Sequence, residues 1–232
     1  MDARSSPSAD DAERETSALP YPVAGAPPPA ALLPRCSAPP GAAPALAPSA
    51  SVTGMPSPRG TLDWSPASDH PELMAPPVAD AVRNIPGALV APIDPGLADT
   101  AAFCEAYDVS LAASANCVVV AGRRAGVTTY AAVMVLATHR ADVNNVVRRH
   151  LGVRKISFAP HDDAVGHTGM EFGGITPVGL PEEWPVLVDE AVATAGEVVI
   201  GSGLRASKLL VTGENLLRLP GAEQLALAQP TG

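Results

Sequence analysis

Half of the prolines in this 232-residue chain, 13 of 26, fall within Met1–Pro58, and that asymmetry decides which part can fold. The same stretch is rich in Ala, Ser and Gly, as in Ala26-Pro27-Pro28-Pro29-Ala30, with almost no aromatics and no apolar period. Such a segment buries too little surface to offset its ordering entropy. The composition predicts a disordered, Pro/Ala-rich tail over residues 1–58, partly polyproline in character, and one domain over residues 59–232. A passive tail and a proline-motif ligand for another protein both fit the tail. Asp2, Asp10, Asp11, Glu13 and Glu15 stand where a secretory leader would be basic, and no continuous apolar core follows.

The remaining part, about 170 residues, is long enough to build a real core. Its longest apolar runs, such as Ala131 to Ala137, are far too short to span a membrane, so no membrane partner is expected. Cys36, Cys104 and Cys117 have no CxxC spacing, and such a sparse, odd set fits reduced thiols in the cytoplasm. Cys117 lies in an apolar run and reads as a buried small hydrophobe. The net charge of −9 argues against general nucleic-acid affinity, and no DNA partner is expected. Locally, Arg140, Arg148, Arg149, Arg154 and Lys155 face a single acid, Asp142. That cluster is either a solvated helix face or a contact surface for phosphates.

Pro76 starts a helix, and Ala88 to Ile93 is a short apolar strand closed by Asp94-Pro95-Gly96. Thr100 caps a helix through Tyr107. Asn116 to Ala121 and Thr128 to Ala137 read as a hairpin turned at Gly122 to Gly126. Asp142 caps a helix through Leu151, stopped by Gly152. Lys155 to Ala159 is a strand and His161 to Thr168 a helix. Trp184 to Asp189, Glu197 to Ser202 and Ser207 to Val211 are strands, and Glu214 to Leu219 closes the chain as a helix. Strands and helices mix without regular βαβ alternation. The expected class is therefore α+β, with a mixed, barrel-like sheet and surrounding helices.

The least regular stretch is Gly173-Gly174-Ile175-Thr176-Pro177-Val178-Gly179-Leu180. Three glycines and a proline in eight residues exclude an ordinary helix or central strand. Either this is a plain turn between strands, or it is a shaped loop with N–H groups turned into a cavity. In the second case it suits a carbonyl or carboxyl group, with the Thr176 hydroxyl beside it.

The order of motifs around that loop favours the second reading. It runs Thr138-His139-Arg140-Ala141-Asp142, then Leu151 to Ala159, then Thr168 to Gly179, Val188-Asp189 and Gly201-Ser202-Gly203. Together these resemble the YbaK/EbsC family, the editing domain associated with prolyl-tRNA synthetase, over about Leu89 to Ala222. The resemblance implies a mixed α/β, barrel-like fold and hydrolysis of mischarged aminoacyl-tRNA, notably tRNA for proline carrying cysteine or alanine. The implied partner is the 3′ acceptor end of aminoacyl-tRNA. One departure stands out: Asn116 occupies the position where that family usually carries a lysine. Asparagine keeps hydrogen bonding and loses the charge. Arg205 or Lys208, near Gly201-Ser202-Gly203, either supplies a replacement charge or is simply solvated.

Ester hydrolysis needs an activated water or 2′-hydroxyl and donors for the oxyanion. The expected catalytic set is Asn116, Gly173, Gly174, Thr176 and Asp189. The expected substrate-binding set is Ile175, Pro177, Gly179, Gly201, Ser202 and Gly203. Ser202 also reads as a turn serine, and Asp189 equally as a cap for the helix after it. No Gly-x-Ser-x-Gly elbow is present. His161 and His167 lack metal-ligand spacing, and neither a metal nor a cofactor is expected. A binding module that kept the pocket and lost hydrolysis is the rival reading, motivated by Asn116.

Overall fold

The computed structural model of the protein describes residues 57–230. Of the predicted tail, residues 1–56 lie outside the described residues. Ser57 already belongs to the fold: it bridges Val109, and its carbonyl accepts from Ser110 N–H at 3.1 Å.

The chain opens with β1 (Ser65–Pro66), α1 (Pro76–Ala81), β2 (Leu89–Pro92) and α2 (Thr100–Tyr107). The long hairpin follows as β3 (Ala115–Arg124) and β4 (Val127–Leu136), then β5 (His139–Ala141). A π-helical turn, Val143–Val147, runs into α3 (Arg148–His150), and β6 (Lys155–Phe158) and α4 (His161–Thr168) come next. Past the glycine-rich loop lie β7 (Val186–Asp189), α5 (Glu190–Ala193), β8 (Glu197–Gly201) and β9 (Ser207–Thr212). The chain closes with α6 (Gly213–Leu216), β10 (Ala222–Leu225) and β11 (Ala228–Pro230).

Among the described residues the strands form three sheets. One is antiparallel, in the order β1-β2-β9-β8. The second, β10-β7-β4-β3-β6, is mixed, because β7 runs parallel to both β10 and β4. The third pairs β11 with β5. The mixed α/β class is as expected, but the barrel is not closed. Between the two large sheets a single bridge, Ser114 to Val199, makes the seam. One bridge cannot carry a continuous ladder from β3 to β8.

The period-2 alternation of the apolar strands builds the layers. Ala132, Met134 and Leu136 of β4 join Val198 and Ile200 of β8 and Leu209 and Val211 of β9 in one core between the large sheets. Helices α1, α5 and α6 close this core through Val78, Val192 and Leu216. The intervening residues of β4, Ala131, Val133 and Val135, face a second core with Val147 and Leu227. On the far side of the antiparallel sheet, Val199 and Leu210 pack on Phe103 and Cys104 of α2. Helix α2 thereby lies against the strand face that carries the even-numbered residues of β9.

Several local expectations needed adjustment. The hairpin turn is only Ala125-Gly126, both at positive φ (51° and 83°), the geometry that matches strand twist in a two-residue loop. Asp142 caps its helix as expected, its Oδ1 accepting from Asn145 N–H at 3.0 Å, but the first turn is π-helical. Strand β10, Ala-Glu-Gln-Leu, has no β-branched residue; its parallel pairing with β7 makes it a strand.

Candidate functional site

A cavity of about 370 Å³ lies at the seam of the two large sheets. Its walls come from the start of α2, the first half of β3, the corner between β6 and α4, the loop at Gly173 and Ile175, and the end of β8 with Lys208 of β9. The exposed rings of Phe158 and Phe172 stand at its mouth.

Close backbone approach shapes one side. A Cβ on Gly201 would run into the carbonyl oxygens of Gly174 and Ile175, so only glycine lets the loop lie on the end of β8. The contact is fixed by Gly203 N–H donating to Gly174 O at 2.8 Å and Glu171 N–H donating to Gly203 O at 2.8 Å. Gly173 is left-handed, with φ +88°. Gly174 has its N–H donated to Glu171 O at 2.9 Å, and a Cβ there would sit 2.6 Å from the Leu204 backbone. The missing side chain at Gly174 serves chain packing. The N–H groups of Gly173 and Ile175, two cavity residues, have no acceptor among the described residues.

The opposite side hangs on three consecutive residues at the start of α2. The Thr100 hydroxyl donates to Asn116 Oδ1 at 2.6 Å, which leaves the Asn116 NH₂ as the end of that side chain able to donate further. Ala98 O accepts from Lys208 Nζ at 2.8 Å. Asp99, between them, lies 3.7 Å from Arg205 Nη1. Lys208 is 7% exposed and its ammonium lies 5.2 Å from the centre of the Phe103 ring. Burial pushes its pKa down to about 8; the Cys104 thiol and Asp99 pull it up, and Arg205 pushes it down. Of the two cations singled out in the sequence, only Lys208 lines the cavity. Arg205 fastens the rim, donating to Pro95 O at 3.1 Å and Phe172 O at 3.4 Å.

Among the described residues, burial disfavours the thiolate of both cysteines. Cys117, expected to be buried, is only half-buried on the cavity wall, and desolvation there pushes its thiol up to about 12. The Cys104 thiol, raised by burial, lies 3.3 Å from the Ser114 hydroxyl.

The structure brings four of the eleven expected site residues into this cavity: Asn116, Gly173, Ile175 and Gly201. Gly174 is behind the loop, as described. Asp189 is a structural carboxylate away from the cavity. Its Oδ1 caps α5 by accepting from Ala191 N–H at 3.1 Å, and its Oδ2 accepts from Leu227 N–H at 3.1 Å and Ala228 N–H at 3.0 Å. Ser202 is fully buried, its hydroxyl 2.7 Å from that of Ser207, which in turn donates to Leu73 O. Gly203, at φ +85°, packs on Ala75 and Val78. Pro177 and Gly179 line a separate cavity of about 380 Å³ beside Pro86 and Asn215. Thr176 is fully buried and lines neither cavity, and its hydroxyl has no partner among the described residues. Asp99, Thr100 and Phe103 line the cavity without being among the expected site residues; the sequence marks Thr100 only as the cap of α2.

No helix of the described residues is long and apolar enough to cross a membrane. Among solved structures, the fold is shared with a proposed trans-editing enzyme for prolyl-tRNA synthetase. That match has a TM-score of 0.58 and 22% identity, over 71% of this chain and 98% of the other. A scaffold protein used for epitope grafting matches at 0.57 and 22%, over 67% and 97%. The hypothetical protein APE2540 matches at 0.51 and 22%, over 60% and 86%. No curated protein matches the chain. The family model for the aminoacyl-tRNA editing domain matches residues 94–219, a span that contains every wall of the seam cavity. With more than half of its length so matched, the chain belongs to the aminoacyl-tRNA editing domain family.

Proposed function

We propose that this protein is a deacylase that hydrolyses the ester of a mischarged aminoacyl-tRNA in trans, in the cytoplasm. The substrate class is tRNA for proline carrying alanine or cysteine. The observation that carries this reading is the seam cavity, which joins loop backbone, Asn116 and a buried ammonium in one half-open space. About 370 Å³ suits a small amino acid with its ribose and falls within the range of specific ligand pockets. The structural neighbour proposed to edit for prolyl-tRNA synthetase supports the choice of substrate.

The chemistry works by positioning. Water attacks the ester carbonyl carbon and the carbonyl π pair moves onto oxygen; the pair then returns as the C–O bond to the ribose breaks, and the proton lost by the water passes to the leaving ribose oxygen. The N–H groups of Gly173 and Ile175 and the Asn116 amide are donors available to the oxygen that gains charge. No protein nucleophile is required: Ser202 is engaged in the core and Cys117 stays a thiol. Gly174, Gly201, Gly203, Ser202 and Arg205 hold the loop on β8, while Asp189 and Thr176 play no part in the bond-breaking step.

A second reading is favoured by Asn116, whose neutral side chain is already tied to Thr100: a module that binds the acceptor end without hydrolysis. Purified protein tested against a panel of mischarged tRNAs, including alanyl- and cysteinyl-tRNA for proline, separates the two. Release of amino acid well above the uncatalysed rate is expected from the deacylase. Background hydrolysis throughout, with tRNA binding retained, leaves the binding module.

A further inference from the structure

We propose that Lys208 is a catalytic residue of this site, its ammonium binding the anionic oxygen that forms on the ester carbonyl during deacylation. This rests on the deacylase reading above and names the group that stabilises its charge.

Four observations point to it. Lys208 occupies a strand position facing α2, buried among Phe103 and the Ala98 carbonyl, and yet it lines the cavity. An ammonium has three donors, and only one has an acceptor among the described residues. The other two have the cavity as the space in which to find one. Holding one backbone carbonyl does not need a charge, and taking an ammonium out of water to do so costs stability that a neutral donor would spare. Finally, Lys208 and Asn116 are fastened to Ala98 and Thr100, so one turn of chain sets the charge and the amide at a common wall.

During the reaction Lys208 keeps its proton. The oxyanion forms beside Nζ when water adds, and its charge is lost as the C=O bond re-forms and the C–O bond to the ribose breaks, the leaving ribose oxygen taking the proton that the water gives up. The charged groups facing Lys208 are Asp99 beside α2 and Arg205 of the loop before β9; the titratable thiol of Cys104 on α2 also faces it, and Cys117 of β3 faces the same cavity. Because the lysine is pushed down to about 8, activity that needs its ammonium falls as pH rises through that value.

The test uses the full chain as wild type, Lys208→Gln, Asn116→Lys/Lys208→Gln and Cys104→Ser. Glutamine can still donate to Ala98 O but carries no charge. Hydrolysis of alanyl- and cysteinyl-tRNA for proline is measured from pH 6 to pH 9.5. In parallel, calorimetry follows two probes: adenosine bearing alanine through a 3′-amide, which is neutral at the linkage, and the 3′ ester of 1-aminoethylphosphonate with adenosine, which is anionic and tetrahedral there. We expect Lys208→Gln to lower kcat about 10²-fold with KM little changed. It should also remove the alkaline fall in rate and abolish the preference for the phosphonate over the amide. The Asn116→Lys change should restore part of kcat, and Cys104→Ser should leave the alkaline limb in place.

Wild-type kcat in Lys208→Gln overturns the proposal and leaves the deacylase reading standing. Equal weakening of both probes also overturns it, since the cation then binds a group present before reaction, such as a phosphate. A wild type that hydrolyses nothing but prefers the phosphonate through Lys208 overturns the deacylase reading alone. No hydrolysis and no binding of either probe overturns both.

Discussion

Two charged side chains are buried to nearly the same extent, Asp189 at 5% and Lys208 at 7% exposed, and they are served very differently. Asp189 accepts three backbone N–H groups, from Ala191, Leu227 and Ala228, so it caps α5 and fastens the approach to β11. Lys208 has a single carbonyl and the ring of Phe103. A buried charge whose bonding capacity is used within the fold is part of the scaffold. One whose capacity is left facing a cavity is held for something outside the chain.

The largest test of that contrast is Asp189→Ala. It strands three N–H donors, two of them beside the buried Leu227, each costing about 1–3 kcal/mol when unpaired. We expect a loss of about 3 kcal/mol or more in chemical denaturation, with the deacylation rate per folded molecule unchanged. A stable variant without activity would return Asp189 to the reaction and break the contrast.

Lys208→Met should move stability the other way. The folded protein holds this lysine at about 8, below its unfolded value of 10.5. Below pH 8 both states carry the proton and the folded state bears the full cost of the buried charge. Between pH 8 and 10.5 the unfolded state binds more protons, so wild-type stability gains with rising pH. Replacement by methionine removes that cost and also the bond to Ala98. The net expectation is a gain of about 2 kcal/mol at pH 7, shrinking steadily between pH 8 and 10.5. Urea titrations of the two proteins at pH 7, 9 and 10.5 measure it. A variant less stable than wild type at every pH would make Lys208 a fastener like Asp189.

The same contrast explains how far the sequence could be read. Strands rich in Val, Ile and Leu, such as β3, β4, β8 and β9, were legible because their β-branched, alternating residues specify both extended structure and the buried face. Strands β1, β5, β10 and β11 were not, since they are short and owe their form to pairing partners distant in the chain. The motif order pointed to the family that the chain belongs to and to a loop that reaches the seam cavity, but motifs do not say which members of a loop face inward. Gly173 and Ile175 reach the cavity, whereas Gly174, between them, packs on Leu204. Asp189 shows why: an acid before a helix looks the same in sequence whether it caps or catalyses. Lys208 was named in the sequence with two readings open, and the signal that separates them is its place directly before Leu209-Leu210-Val211, since a charge inside a buried strand calls for an explanation.

The smallest expected effect is the sharpest. Thr176 is fully buried, and its hydroxyl has no hydrogen-bond partner among the described residues. Unlike Lys208 it lines neither cavity, so its unused capacity faces protein. An unpaired buried hydroxyl contributes a desolvation cost and no compensating bond. Valine has nearly the same shape and no such group, so Thr176→Val should leave stability unchanged or raise it by up to about 1 kcal/mol. The backbone next to Pro177 stays extended with either residue, because β-branching suits that conformation. Activity should stay within about twofold of wild type, since the change touches neither the N–H groups of Gly173 and Ile175 nor Lys208. Thermal midpoints and deacylation rates of the two proteins decide the matter. A tenfold loss of rate at unchanged stability would mean that the hydroxyl reaches the reacting group, and that facing a cavity is not what separates functional from structural polar groups in this fold.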